Sequence, residues 1–337
     1  MLFSGTFRRG VNTPPIARPF ALALVALMLG SVAAHAVELQ PGDYVMLAPD
    51  AGPRLWRIDP ATFQRELIAS HGLIGQGGRI AVDARDRIYV PDQTNGIVEV
   101  DAATGSQTQR FTLAELGNRV PRGLCIAPNG GLYVAAGDAI LWLDVAAHQS
   151  RVVTSGGWLS EPHDVDVGPD GRLYVAEFAI PLSTASPPWR GSIVRVDPSS
   201  GAQTRVAEHG NRLLGPFDIE VAPDGFIWTA NRGYVSGREG AFCRTDPNSG
   251  VSVAVSQGVP GYSSMRSQAL TIGAHGELLL ADCLTVGPNC ATPFLYLQTL
   301  FPNGPTYPMP VGPIATAPAG ATSTRAASWG RLKTRYR

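Results

Sequence analysis

Six polar residues lie where predicted strands begin or end, and their side chains are of types that can bind ions or transfer protons. They are His163, Asp164, Glu177, Asp218, Asn231 and Asp282. Carboxylate and amide oxygens are the ligands that hard cations prefer. The candidate metal ligands, for Ca²⁺ or Mg²⁺, are Asp164, Asp218, Asn231 and Asp282. Because histidine titrates near neutral pH, His163 together with Glu177 is the candidate pair for general acid or base catalysis.

A second interpretation of the same residues is structural. Aspartate or asparagine after a strand commonly hydrogen-bonds the backbone of the following loop. We expect that role for Asp59, Asp101 and Asp197, which each end a strand before a polar turn. Both interpretations remain open for the residues that follow the second strand of each unit.

A short pattern of strand, tight turn and strand recurs along the chain. Its copies are Ile80–Val90, Leu124–Val134, Val165–Val175, Ile219–Thr229 and Leu270–Leu280. Several copies carry Pro-Asp-Gly or Pro-Asn-Gly between the strands. Proline presets φ at the first turn position and glycine accepts a positive φ, so the pattern predicts two antiparallel strands joined by a turn.

A second pattern, a strand ending in aspartate before a polar turn, alternates with the first. The aspartates are Asp59, Asp101, Asp144, Asp197 and Asp246, at spacings of 42, 43, 53 and 49 residues. Units of four short strands at such spacings are typical of β-propeller blades. We therefore predict an all-β, six-bladed β-propeller, with five or seven blades as alternatives. The strand that completes the first blade is either the segment around Val37 to Leu39 or part of the C-terminal stretch.

The repeated motifs resemble NHL repeats over about residues 42 to 300, and they carry the Y-V strand end and the V-D-P turn of that family. The resemblance implies a propeller of the NHL and gluconolactonase-like kind. Gluconolactonase-like enzymes hold a divalent metal at the channel mouth, which would make the metal candidates above a lactonase-like site. The segment from Glu161 to Glu177 also resembles the repeat of streptogramin B lyases, and His163 and Glu177 fall on that repeat's histidine and glutamate.

The first strand of a blade begins, and its second strand ends, at the same face of a propeller. Three long connections also follow second strands and should share this face, which we call the mouth: Phe178 to Arg190, Arg232 to Gly240, and Leu284 to Pro293. Loops clustered on one face of a rigid scaffold are common binding sites. The predicted ligand-binding residues in them are Trp189, Arg190, Arg232 and Tyr234.

The N-terminal segment, residues 1–36, has the composition of a secretory signal peptide. Arg8, Arg9 and Arg18 precede an apolar stretch, and Ala34-His35-Ala36 matches an A-x-A cleavage site. This predicts export, so that the mature protein is secreted or lies in the periplasm or cell envelope. Cys283 and Cys290 are close enough in sequence to form a disulfide there, whereas Cys125 is expected to be a buried thiol.

We expect residues 37–302 to form the propeller and residues 303–337 to form a disordered tail rich in Pro, Ala, Ser and Thr with a basic end. The net charge is zero, so a nucleic-acid partner is not indicated. The single lysine, Lys333, lies near the end of the chain, which disfavours Schiff-base chemistry.

The sequence thus predicts a monomeric binding or scaffold module that takes an unknown small molecule or protein at the mouth. The alternative function is that of a metal-assisted hydrolase or a lyase with its site at the same mouth.

Overall fold

A computed structural model of the chain is all-β, and it contains no helix among the residues that it describes. These are residues 37–48, 52–62, 64–75, 77–178, 191–208, 213, 215–231, 241–254, 266–272, 278–283, 293–298, 306–308 and 314–316. The predicted signal peptide and the residues after 316 lie outside the described part of the chain.

The described strands form six four-stranded antiparallel sheets. From the inner to the outer strand, the first sheet contains β24 (Ile314–Thr316), β1 (Tyr44–Ala48), β2 (Arg54–Ile58) and β3 (Arg65–Ser70). The second contains β4 (Ala81–Val82), β5 (Arg87–Asp92), β6 (Gly96–Asp101) and β7 (Gln107–Phe111). The third contains β8 (Pro121–Ile126), β9 (Leu132–Ala136), β10 (Ala139–Asp144) and β11 (Gln149–Ser155).

The remaining three sheets follow the same order. The fourth contains β12 (Pro162–Val167), β13 (Leu173–Glu177), β14 (Ser192–Val196) and β15 (Gln203–Glu208). The fifth contains β16 (Pro216–Val221), β17 (Ile227–Asn231), β18 (Ala241–Thr245) and β19 (Ser252–Ala254). The sixth contains β20 (Arg266–Ile272), β21 (Leu278–Cys283), β22 (Pro293–Gln298) and β23 (Thr306–Pro308).

The inner strands of the sheets form a closed ring. Strand β4 contacts β8, β8 contacts β12, and the contacts continue through β16 and β20 to β24, which contacts β4. Sheets arranged radially around a central channel in this way constitute a β-propeller. The predicted propeller architecture is confirmed.

The ring closes through a strand from the C-terminal part of the chain. Strand β24 pairs antiparallel with β1, with Met46 opposite Ile314 and Tyr44 opposite Thr316. Of the two closing segments that the sequence left open, the C-terminal one is therefore used. The predicted boundary of the tail is wrong for β23 and β24, which both lie beyond residue 302. A strand of three residues hardly changes the composition of a segment rich in Pro and Ala, so the pairing was not visible in the composition.

The core lies between neighbouring sheets. Every residue of β9, β13 and β17 is buried, because these second strands are covered on both faces by adjacent sheets. One cluster joins the third sheet to the fourth and includes Tyr133, Ile140, Val165 and Val175. Stacking of the sheets thus explains why the repeated Leu-Tyr-Val segments are apolar at successive positions.

The turns use the residues that the repeats predicted. Gly171 and Gly225 of the Pro-Asp-Gly turns have φ values of 74° and 87°. Asp59 accepts hydrogen bonds from the backbone N–H groups of Ala61 and Thr62 at 2.7 and 2.9 Å. Asp101, Asp144, Asp197 and Asp246 accept equivalent bonds within their own turns. The turn-forming role predicted for Asp59, Asp101 and Asp197 is confirmed.

The aspartate turns end in glycine for two reasons: the backbone there has a positive φ, and the backbone of the preceding sheet lies too close for a Cβ atom. Gly201 has φ of 72°, and a Cβ atom added there would lie 2.6 Å from the carbonyl oxygen of Val153. A Cβ atom added to Gly105 or Gly250 would likewise lie 2.4 Å from the carbonyl oxygen of Ile68 or Val206, respectively. These glycines therefore allow the outer strands of successive sheets to pack closely.

Replacing Gly201 with alanine should destabilise the protein by roughly 2–3 kcal/mol, because it combines a left-handed backbone with a clash against Val153. Gly171 is a matched control, since its φ of 74° is similar but a Cβ there would meet nothing within 4 Å. Gly171→Ala should cost about 1 kcal/mol from the backbone alone. Urea denaturation of both variants measures the difference, and equal losses would refute the sheet-contact explanation.

The cysteine predictions have separate outcomes. Cys125 is a buried free thiol, as predicted, and its burial raises the pKa well above the ordinary value, so the reactive thiolate is disfavoured. Cys283 lies in β21, and Cys290 lies outside the described residues. The predicted disulfide between them stays a prediction.

Candidate functional site

Four inner strands begin with the same irregular pairing. In the third, fourth and fifth sheets, the pairs Pro121–Ala136, Pro162–Glu177 and Pro216–Asn231 are followed by a shift of register. The residue skipped at each shift is Arg122, His163 or Phe217, respectively, and Gln268 has this position in the sixth sheet. A bulge of this kind changes the direction of a side chain. These strands all begin at the mouth, so the side chains of Arg122, His163 and Phe217 lie at its edge.

His163 packs between two phenylalanine rings from neighbouring segments. Its ring centroid lies 4.7 Å from that of Phe178 and 4.6 Å from that of Phe217. The two phenylalanines are 6.3 Å apart in an edge-on arrangement. The imidazole is 14% exposed, so it is held in an apolar setting but is still reached by solvent.

An ion pair lies beside this aromatic group. Arg122 Nη2 is 2.9 Å from Glu161 Oε1, and His163 Nε2 is 3.6 Å from the same oxygen. Burial raises the pKa of Glu161, and the guanidinium of Arg122 opposes that effect. We call Arg122, Glu161, His163, Phe178 and Phe217 the mouth cluster.

Glu177, the predicted catalytic partner of His163, holds the backbone that carries Glu161. It is 2% exposed. Its Oε1 accepts hydrogen bonds from Ser160 N, Ser160 Oγ and Glu161 N at 3.0, 2.6 and 2.7 Å. Burial raises the pKa of this carboxyl, and the three donors oppose that rise. The carboxylate nearest to His163 in this cluster is Glu161, which sequence reasoning missed although it lies two residues before the histidine.

The residues that follow the bulges form a second group inside the channel, which we call the channel cluster: Arg79, Asp164, Asp166, Asp218 and Glu220. Arg79 belongs to the segment before β4, yet it reaches across to the fourth and fifth sheets. Its Nη1 lies 3.2 Å from Asp164 Oδ2 and 3.8 Å from Asp218 Oδ1, and its Nη2 lies 3.3 Å from Glu220 Oε2. Nη1 also donates to the carbonyl of Ile219.

The aspartates of the channel cluster also accept hydrogen bonds from backbone N–H groups at the unpaired edges of the inner strands. Asp164 accepts a hydrogen bond from Ile219 N at 3.0 Å, and Asp166 accepts one from Val221 N at 2.8 Å. Asp218 accepts one from Leu270 N at 2.8 Å. An inner strand has one unpaired edge, and a buried unpaired N–H is costly. Each carboxylate therefore joins its own sheet to the next.

Charge is unevenly balanced in this group, which holds four carboxyls and one guanidinium. Burial raises the pKa of Asp164, Asp166 and Asp218, and it raises the pKa of Glu220 to about 7. The guanidinium of Arg79 lowers the pKa of all four. Burial alone would lower the pKa of Arg79, but the surrounding carboxylates raise it well above its usual value. Arg79 is therefore a permanent internal cation.

The predicted metal ligands do not all belong to one described group. Asp164 and Asp218 lie together in the channel cluster, whereas Asn231 is buried and donates to Thr229 O and Oγ1 at 3.3 and 3.0 Å. Asp282 is described by its backbone alone, opposite Ser267. Within the described ranges, no group of three or more His, Cys, Asp or Glu is arranged to hold a metal ion. The prediction of Ca²⁺ or Mg²⁺ at these four residues stays a prediction.

The predicted ligand-binding residues Trp189, Arg190, Arg232 and Tyr234 lie outside the described residues. In the part of the chain that is described, no helix has the length and apolar character needed to cross a membrane.

A groove of about 460 Å³ lies on the fifth sheet, away from the mouth. It is lined by Phe226, Arg244, Asp246, Ser249, Val251 and Val253. The turns that carry Phe226 and Asp246 are at the opposite end of the strands from the mouth. The guanidinium of Arg244 already covers the ring of Phe226 at 3.3 Å and pairs with Asp224 at 3.3 Å. Two of the side chains that line the groove, Phe226 and Arg244, thus already contact each other.

No family model and no curated protein matches the sequence. Among solved structures, a chain from a nidogen–laminin complex matches 82% of this chain and 99% of its own length, with a TM-score of 0.60 and 14% identity. The fold is shared. A protein of unknown function from Bacteroides caccae matches 82% of this chain and 99% of its own, with a TM-score of 0.53 and 12% identity. A third solved structure, of a protein of unknown function from Bacteroides thetaiotaomicron, matches 72% of this chain and 65% of its own length. Its TM-score is 0.55 and its identity is 12%. At these identities the likeness concerns the fold alone.

Proposed function

We propose that the protein is an exported, six-bladed propeller of the NHL type that binds a small molecule or a protein segment at its mouth. The repeated motifs and the six described sheets support the blade count. The composition of residues 1–36 supports export. The similar chain from the nidogen–laminin complex supports a binding role, because it shows a chain of this fold within a protein complex.

The mouth cluster is the observation that carries this proposal. It combines apolar rings with a charged pair and an imidazole, all on one rim of a rigid ring. Sites of this composition supply apolar contact area together with a few directional polar groups. The carboxylates below it bond to backbone amides and face Arg79, so ligand recognition is assigned to the mouth cluster.

A screen of soluble fragments by NMR tests the proposal. We expect fragments that bind to shift the imidazole signal of His163 and to leave that of His148 unchanged. His148 is a suitable internal reference because it lies between the second and third sheets, stacked on Phe111 at 4.8 Å. Arg122→Ala should weaken binding about tenfold, equivalent to about 1.4 kcal/mol.

Two outcomes would count against this function. Fragments that shift His148 but not His163 would place binding elsewhere on the propeller. Conversion of a lactone or another added fragment into product, lost in His163→Asn, would favour the hydrolase or lyase alternative, in which His163 transfers a proton.

A further inference from the structure

We propose that Arg79 is a positioning residue for the mouth: it holds the two aspartates that follow His163 and Phe217, and so sets the geometry of a site on sheets to which it does not belong. The proposal rests on the function proposed above only in taking the mouth cluster as the binding site. The positioning itself concerns the protein without ligand.

The first step is the adjacency of the two clusters along each inner strand. His163 precedes Asp164 and Phe217 precedes Asp218, so each bulged residue is joined by one peptide bond to a residue of the channel cluster. The register of the paired strands skips His163 and Phe217, and a bulge changes the direction of a side chain. Because Asp164 and Asp218 directly follow them, the way in which these aspartates are held contributes to that direction.

The second step is the way in which those aspartates are held. Asp164 Oδ2 contacts Arg79 Nη1 at 3.2 Å and accepts from Ile219 N at 3.0 Å. Asp218 lies 3.8 Å from the same guanidinium nitrogen and accepts from Leu270 N. Arg79 thus fixes both aspartates at once.

The third step is the close packing that transmits this arrangement around the ring. A Cβ on Gly123 would lie 2.3 Å from Asp164 Oδ1 and 2.7 Å from the carbonyl of His163. A Cβ on Gly78 would overlap the carbonyl of Arg122. The inner strands are therefore in direct backbone contact at the level of the bulges, and packed backbones leave little freedom for the aspartates to move alone.

We therefore expect the ring of His163 to shift relative to Phe178 and Phe217 when Arg79 is not paired. Loss of the guanidinium leaves mutually repelling carboxylates on β12 and β16. These strands carry His163 and Phe217, so the contact between the two rings should open.

The test is the NMR signal of the His163 imidazole in the ligand-free protein, compared among the wild type, Arg79→Lys and Arg79→Met. In the wild type, we expect the neighbouring rings to displace this signal from its random-coil position, because their centroids lie 4.7 and 4.6 Å away. We expect Arg79→Lys to lose part of the displacement, because an ammonium is a single point charge and does not span Asp164 and Glu220. We expect Arg79→Met to lose most of it while the His148 signal stays at its folded position. Arg85→Met, in an exposed turn, should change neither signal.

An unchanged His163 signal in a folded Arg79→Met or Arg79→Lys protein would overturn the proposal and leave Arg79 with a purely structural role. If neither variant folds, Asp164→Asn answers the same question, since it keeps the shape of the side chain and removes the charge held by Arg79. An unaltered His163 signal in Asp164→Asn would also overturn the proposal. Failure of every fragment to bind would contradict the proposed function but would leave this result standing.

Discussion

Replacing Arg79 with methionine is expected to destabilise the protein by about 3–5 kcal/mol, the usual cost of removing one partner from a buried ionic group. The guanidinium is 11% exposed, and Asp164 and Asp218 are 1% and 3% exposed. Without it, four carboxyls share the channel with no described cation bridging them. Some of them must then take up protons or separate. Urea denaturation followed by tryptophan fluorescence measures the loss.

Arg85→Met is the matched control for this experiment. It removes the same groups from an exposed turn, where only its backbone N–H bonds to Asp83. The expected change is within about 0.5 kcal/mol. If the two variants lost similar stability, the channel cluster would not be the ionic centre described above.

Stability is expected to fall as the pH rises through the interval between the ordinary pKa of glutamate and neutrality. Burial raises the pKa of Glu220 from 4.5 to about 7, so the folded protein retains a proton that the unfolded chain has released. Wherever the folded state binds more protons, the free energy of unfolding decreases with pH. The contribution is fully present below pH 4.5 and is lost by about pH 7; a shift of this size corresponds to about 3 kcal/mol.

At acidic pH the dependence has the opposite sign, because stability there falls as the pH falls. Hydrogen bonds from Ser199 and Ser200 lower the pKa of Asp197 to about 2, and bonds from Thr112 and His148 lower the pKa of Glu115 to about 2. The stabilising effect of these groups is lost progressively as the pH falls from about 4.5 towards 2. We therefore expect maximum stability near pH 4 to 5 rather than at neutrality.

Glu220→Gln isolates the contribution of Glu220 to this pH dependence. The amide does not titrate, so urea midpoints at pH 5 and pH 8 should differ much less in the variant than in the wild type. Glu208→Gln, at an exposed position of β15, should retain the wild-type difference. A wild-type protein equally stable at both values of pH would show that Glu220 is not protonated in the fold.

The architecture was largely predictable from local features. The turn aspartates and Pro-Asp-Gly glycines define the ends of strands by their own hydrogen bonds and φ preferences, so a short window around each is sufficient. The burial of Cys125 followed from its apolar strand. These features depend on interactions within a few residues or between adjacent strands, and the repeats made them visible.

The site was less predictable because it depends on contacts across the ring. Arg79 and Asp164 are 85 residues apart, and Arg79 and Ile219 are 140 apart. Arg79 stands at the position where the fourth and fifth sheets have Asp164 and Asp218, so the repeat gives no reason to expect a cation there. Glu161 was overlooked because it precedes its strand. Both assignments require the register of neighbouring inner strands, which sequence spacing does not provide.

The most direct measurement is a crystal structure of the mature protein with the fragments that bind in solution. The account predicts fragment density against His163, Phe217 and Arg122, with Arg79 still paired to Asp164 and Glu220 beneath it. Density in the groove of Phe226 and Arg244 with an empty mouth would contradict the proposed function. A divalent cation held by Asp164 and Asp218, with Arg79 displaced, would contradict the assignment of those carboxylates to Arg79.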